Sequence, residues 1–107
     1  NEYSTKKIID VIKFSRNNNI KFGIPIFKDD NQKSKKRVII EYNKKSPVSV
    51  QFNKKSKRII FNQLIPQKKE LEGVKAYYVP DGSFNAYEYK KRKWWLILDI
   101  DARNQDN

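Results

Sequence analysis

Phe84-Asn85-Ala86-Tyr87-Glu88-Tyr89-Lys90-Lys91-Arg92-Lys93-Trp94-Trp95-Leu96-Ile97-Leu98-Asp99-Ile100 is the stretch that decides the fold of this chain. An aromatic-rich segment runs up to Tyr89, an apolar run starts at Trp94, and a basic cluster separates them. Two strands joined by a tight reversal produce that pattern. With Lys91-Arg92 as a two-residue turn, Tyr89 falls opposite Trp94 and Tyr87 opposite Leu96. Neighbouring strand residues point to opposite faces. Tyr87, Tyr89, Trp94, Leu96 and Leu98 therefore share one face, the expected core side, and Phe84, Ala86, Glu88, Trp95, Ile97 and Asp99 share the other.

Upstream, similar segments recur at spacings near ten residues, the mark of an antiparallel meander. Phe22, Ile24 and Ile26 alternate, then Val38, Ile40 and Tyr42, then Val48, Val50 and Phe52. Arg58 to Ile65 and Val74 to Val79 bring the total to seven candidate strands with the closing pair. Pro25 points to an edge position for the first, because it has no N–H for a neighbour. Turn chemistry fills the gaps: Asp29 to Gln32, Lys44 to Pro47, Lys54 to Ser56, Pro80 to Ser83, and Lys91-Arg92. Pro66 to Gly73 reads as one helical turn, with proline near its start and glycine just past its end. Glu41-Tyr42-Asn43-Lys44-Lys45-Ser46 recurs as Gln51-Phe52-Asn53-Lys54-Lys55-Ser56, as expected of two copies of one strand-turn unit.

Before the first strand, Ser4 and Thr5 can cap a helix, and Ile8, Val11, Ile12 and Ser15 fall at helical spacing. The β-branched residues there make a mediocre helix, so a strand is the alternative. The expected fold is α+β and mainly β: an antiparallel meander sheet or partly open barrel of about seven strands over residues 20–101, with one N-terminal helix over about 4–17. The whole of 1–107 makes a single domain, with a disordered tail at 103–107.

Composition sets firm exclusions. The 107 residues contain no cysteine, histidine or methionine. Disulfides, thiolate or imidazole metal sites and Ser-His-Asp chemistry are impossible. No apolar run approaches the roughly 20 residues of a membrane-spanning helix. Residue 1 is asparagine, so a processed chain or a piece of a longer one is expected. Lysine and arginine total 24 against 12 acidic residues, a net charge of +12. Nineteen of the 24 are lysine, and lysine, isoleucine and asparagine all have A/T-rich codons, so a low-GC genome accounts for much of the surplus.

Two candidate sites follow. The first is the face carrying Trp95, Ile97, Phe84 and Glu88, covered by the N-terminal helix or used as a patch for a ligand or partner. The second is an anion site built from turn lysines: Lys54, Lys55, Lys57, Lys90, Lys91 and Arg92. Alternating turns of a seven-strand meander divide these charges. Lys33, Lys35, Lys36, Lys54, Lys55 and Lys57 go to one end, and Lys44, Lys45 and Lys90 to Lys93 to the other. That division favours solvated turns over a groove. Asp99 and Asp101 share a strand face but lack the six to eight oxygens calcium needs. Glu70 and Glu72 do not face each other, so no acid–base pair arises.

Arg58 to Pro66, Leu71-Glu72-Gly73, Tyr78 to Phe84 and Asp99 to Asn104 together resemble the C-terminal region of a group of uncharacterised, exported Bacteroidetes proteins, over residues 58–104. That family has Phe-Asp-His-Leu where this chain has Phe61-Asn62-Gln63-Leu64. Amides replace both ionisable groups here. The resemblance implies a periplasmic, outer-membrane-associated or secreted setting and no activity. The expected function is thus a non-catalytic domain without cofactor or metal, meeting another protein, a second copy or a ligand. Specific nucleic-acid recognition is not expected, and an anion-binding module for nucleic acid or acidic glycan is the alternative.

Overall fold

The computed structural model describes residues 3–14, 17, 19–29, 31 and 33–101. The strands are β1 (Ser4–Ile9), β2 (Lys13–Phe14), β3 (Ile20–Lys21), β4 (Phe27–Lys28), β5 (Ser34–Lys35), β6 (Val38–Asn43), β7 (Val50–Asn53), β8 (Arg58–Pro66), β9 (Tyr78–Lys90) and β10 (Lys93–Ile100). Six of them form one curled sheet in the order β5-β4-β10-β9-β8-β7, and β1 with β6 and β2 with β3 form two small ones. The fold is mainly β, with β7 to β10 an antiparallel meander.

The closing hairpin has the register that its sequence dictates, Trp94 opposite Tyr89 and Leu96 opposite Tyr87. Lys91 and Arg92 both adopt positive φ, 53° and 63°, the left-handed pair that a type I′ turn requires. Tyr87 is buried at the centre of the core, edge-on to Phe27 and stacked with Phe61. Val38, Ile40 and Tyr42 of β6 close over them, every second residue of that strand turning inward. Trp94 and Leu96 pack against this cluster, so the face assigned to the core holds it. Tyr89 and Leu98 are the exceptions, at 40% and 53% exposed. The β9–β10 register shifts between Ile97 and Ile100, and positive φ at Asp99 turns the chain there, with its N–H donated to Asn85 Oδ1 at 3.0 Å.

The N-terminal helix is not formed. Residues 4–9 are β1, paired antiparallel with β6, and Lys13–Phe14 is β2. Isoleucine-rich, β-branched sequence packs better on a pleated surface than on a helix. Helical spacing placed Ile8, Val11 and Ile12 inward, but Ile8 and Ile12 are 58% and 52% exposed, and Ile9 meets the core beside Val11. Ser15 and the tail at 103–107 lie outside the described residues. β6 pairs with β1 and leaves the main meander.

The expected strand at 22–26 is also revised. Pro25 sits in the bend before β4, which lies inside the sheet between β5 and parallel β10. Asp10 braces this bend. Its Oδ1 accepts the N–H groups of Val11 (2.7 Å) and Gly23 (3.2 Å), and its Oδ2 faces Arg37 at 3.7 Å.

Most consequential is the region from Pro66 to Ser83. The helical turn is present as the 3-10 turn Lys69–Leu71, but a second one, Lys75–Tyr77, replaces half of the strand expected at 74–79. Pro80 to Ser83 does not reverse the chain. It is a bulge within the 13-residue β9, where Asn62 pairs with Phe84 and Leu64 with Pro80. Gly82 takes φ +92°. The Ser83 hydroxyl and N–H both donate to Asp81 Oδ1 (2.6 and 2.9 Å), which holds the Asp81 carboxyl below its ordinary range, the hydroxyl bond contributing most. Among the described residues no helix is long and apolar enough to cross a membrane.

Candidate anion-binding surface

Because 78–90 is one strand, the meander makes one reversal fewer than its sequence suggests. This changes which turns are neighbours. The β7–β8 turn with Lys54, Lys55 and Lys57 lies at the same end of the sheet as the β9–β10 turn with Lys90, Lys91, Arg92 and Lys93. The Tyr89 N–H donates to the Lys57 carbonyl at 2.9 Å, joining the two turns directly. Lys44 and Lys45 are at the opposite end, where the Asn43 side chain donates to the Ala76 carbonyl at 2.9 Å. The expected placement of the Lys54–Lys57 and Lys90–Lys93 turns at opposite ends is therefore overturned, while Lys44 and Lys45 stay apart from Lys54, Lys55 and Lys57 as expected.

Local sequence explains both turns. Asn53 Oδ1 accepts the N–H groups of Lys55 (3.0 Å) and Ser56 (3.1 Å), and Lys57 at φ 55° closes the loop onto Arg58. The first copy of the repeat behaves alike, Asn43 Oδ1 accepting the Lys45 N–H at 2.9 Å. Among the described residues none of the seven cations at this end takes part in an ion pair. Glu88, the carboxylate next to Tyr89, is held by Arg58 Nε at 2.9 Å. Like charges that are not neutralised within the fold raise the local potential and attract polyanions.

Aromatic residues lie beside these cations. The Tyr89 and Trp94 rings are 5.0 Å apart, and the Trp94 and Phe52 rings 6.3 Å. Phe52 is on β7 and Trp94 on β10, with β8 and β9 between them. In a flat sheet those strands would be roughly 14 Å apart. The ring contact therefore requires a strong curl, with this face concave. Phe52 is 59% exposed and Tyr89 40%. A cleft of about 700 Å³ continues from them, lined by Lys13, Phe14, Ile24, Ile26, Arg92 and Trp94 among others.

Trp95, Ile97, Phe84 and Glu88 fall on the other face, all half-buried. Trp95 pairs with Glu88 in register, and its indole N–H donates to the Lys90 carbonyl at 2.9 Å. Among the described residues no helix covers this face, so the expected covering fails. The Phe61-Asn62-Gln63-Leu64 segment has a structural use. Asn62 Oδ1 accepts the Ser49 N–H at 2.7 Å, and buried Asn85 donates to Gln63 Oε1.

Sequence reasoning missed Lys93, Lys13, Phe14 and the groove role of Phe52. Phe52 stands inside the repeated unit next to Lys54 and Lys55, an adjacency that could have pointed to it. The class of protein defined here is a small mainly-β domain with a curled six-stranded sheet, basic and aromatic at one end. Comparison with protein-family models, curated proteins and solved structures returned no match to this chain.

Proposed function

We propose that this is a non-catalytic binding domain whose ligand is an anionic polymer, held at the sheet end that carries Lys54, Lys55, Lys57, Lys90, Lys91, Arg92 and Lys93. The convergence of two lysine turns on one end supports the reading best. A polymer with regularly spaced charges can neutralise several of these lysines at once and release their counterions. The exported or envelope setting implied by the family resemblance belongs to the same proposal.

Retention on immobilised heparin tests it. Lys54→Ala/Lys55→Ala/Lys91→Ala and Lys44→Ala/Lys45→Ala/Lys69→Ala remove the same charge from opposite ends. The first should elute at clearly lower salt than the wild type and the second close to it. Equal shifts would mean that net charge alone is felt and would refute the site.

A second reading assigns Trp95, Ile97 and Phe84 to contact with another copy of the chain, because these residues are half-exposed and no helix among the described residues covers them. A single monomeric species in sedimentation velocity at high micromolar concentration would sink it.

A further inference from the structure

We infer that the polymer is single-stranded nucleic acid, its bases set against Phe52, Tyr89 and Trp94 while its phosphates follow the Lys54–Lys57 and Lys90–Lys93 turns. This rests on the anion-binding reading above and narrows it to one ligand class. Two independent observations converge. One is the group of cations around adjacent turns that form no ion pair among the described residues. The other is a group of aromatic rings, two of them at least 40% exposed, on the concave side of the same sheet end.

Single strands present that combination: a phosphate row and unstacked bases with free π-faces. A duplex keeps its bases inside the stack and would engage the lysines alone. An acidic glycan would also engage them but has no π-face to set against the rings. The cleft beside Trp94 extends the apolar floor, with Lys13 and Arg92 among its lining residues. A neighbouring base can lie there with its phosphate near a cation. Six of the seven cations are lysine, which meets phosphate as a point charge, whereas arginine can also read base edges with its planar fork. Binding should therefore tolerate any sequence.

The test titrates the full chain with three labelled probes: a thymidine dodecamer, a duplex of the same length and a heparin oligosaccharide of matched charge. The single strand should bind about tenfold tighter than either of the others. Phe52→Ala should weaken it by roughly 5- to 100-fold with an unchanged salt slope, since one stacked base is lost and no charge. Phe52→Leu, which keeps the apolar volume without the ring, should behave similarly. In a Trp95→Phe background Trp94 is the only tryptophan, and its fluorescence should be quenched by the dodecamer. Equal affinity for heparin and dodecamer, together with no effect of either Phe52 substitution, would overturn the nucleic-acid inference and leave the anion site standing. Absence of salt-dependent binding to all three probes would remove both.

Discussion

Phe27→Ala should cost this domain about 3–5 kcal/mol, the largest loss expected from a single substitution. Phe27 is 0% exposed, and its ring meets Tyr87 edge-on at 5.5 Å. It sits on a two-residue strand that is held by β5 on one side and β10 on the other. So short a strand contributes little of its own, and the buried ring fixes its place. Truncation leaves a cavity between β4 and β9 and removes an anchor of the chain leading to the cleft. A domain of this size has roughly 5–15 kcal/mol in total, so the variant should populate unfolded states at modest urea. Equilibrium urea denaturation should show a much lower midpoint at an unchanged m-value. Phe14→Ala, at a 70% exposed ring, should stay within about 0.5 kcal/mol of the wild type. Equal effects at the two positions would mean that the core does not centre on Phe27.

Lys91→Asn/Arg92→Gly should move stability and binding in opposite directions. Both residues occupy left-handed backbone, which costs an ordinary side chain roughly 1–2 kcal/mol relative to glycine and less relative to asparagine. Asn-Gly is the preferred pair for a type I′ turn. The double variant should gain about 1–2 kcal/mol in thermal or urea unfolding. It also loses two cations, so affinity for the thymidine dodecamer should fall on the order of tenfold near 0.1 M salt, with a shallower salt slope. Lys57, at φ 55°, is in the same position at the other turn. Cations held in strained backbone where a turn former would be more stable match the known exchange of stability for function. A variant that is more stable yet binds as tightly as the wild type would show that these side chains do not meet the ligand.

Much of the fold was legible because period-two alternation is strong where one face is buried. The register of the closing hairpin followed from Lys91-Arg92 and the aromatics around it. The repeat ending in Lys45-Ser46 and Lys55-Ser56 proved to be one strand-turn unit used twice, each copy closed by its asparagine side chain. Two features were not legible. Residues 4–12 have isoleucines that satisfy helical and extended patterns alike, and only pairing with β6 decides between them. Pro80-Asp81-Gly82-Ser83 has the composition of a turn, yet Asp81 and Gly82 satisfy the backbone inside a bulge and the strand continues. That one misreading changed the count of reversals. It separated two lysine clusters that the fold brings together, so parity hid the site even though its turn lysines Lys54, Lys55, Lys57, Lys90 and Lys91 stood out in the sequence.

The curl that carries Phe52 to Trp94 also decides what the unfinished barrel leaves open. A closed barrel has no edge, but this sheet stops after six strands, and Val50–Asn53 forms its last rim. Unsatisfied donors and acceptors along such a rim are a template for self-association into larger sheets. Here the rim is four residues long and runs directly into Lys54 and Lys55. An approaching copy meets two cations at the point where it would have to extend the ladder. The lysines proposed to draw in a polyanion thereby also guard the chain against aggregating with itself.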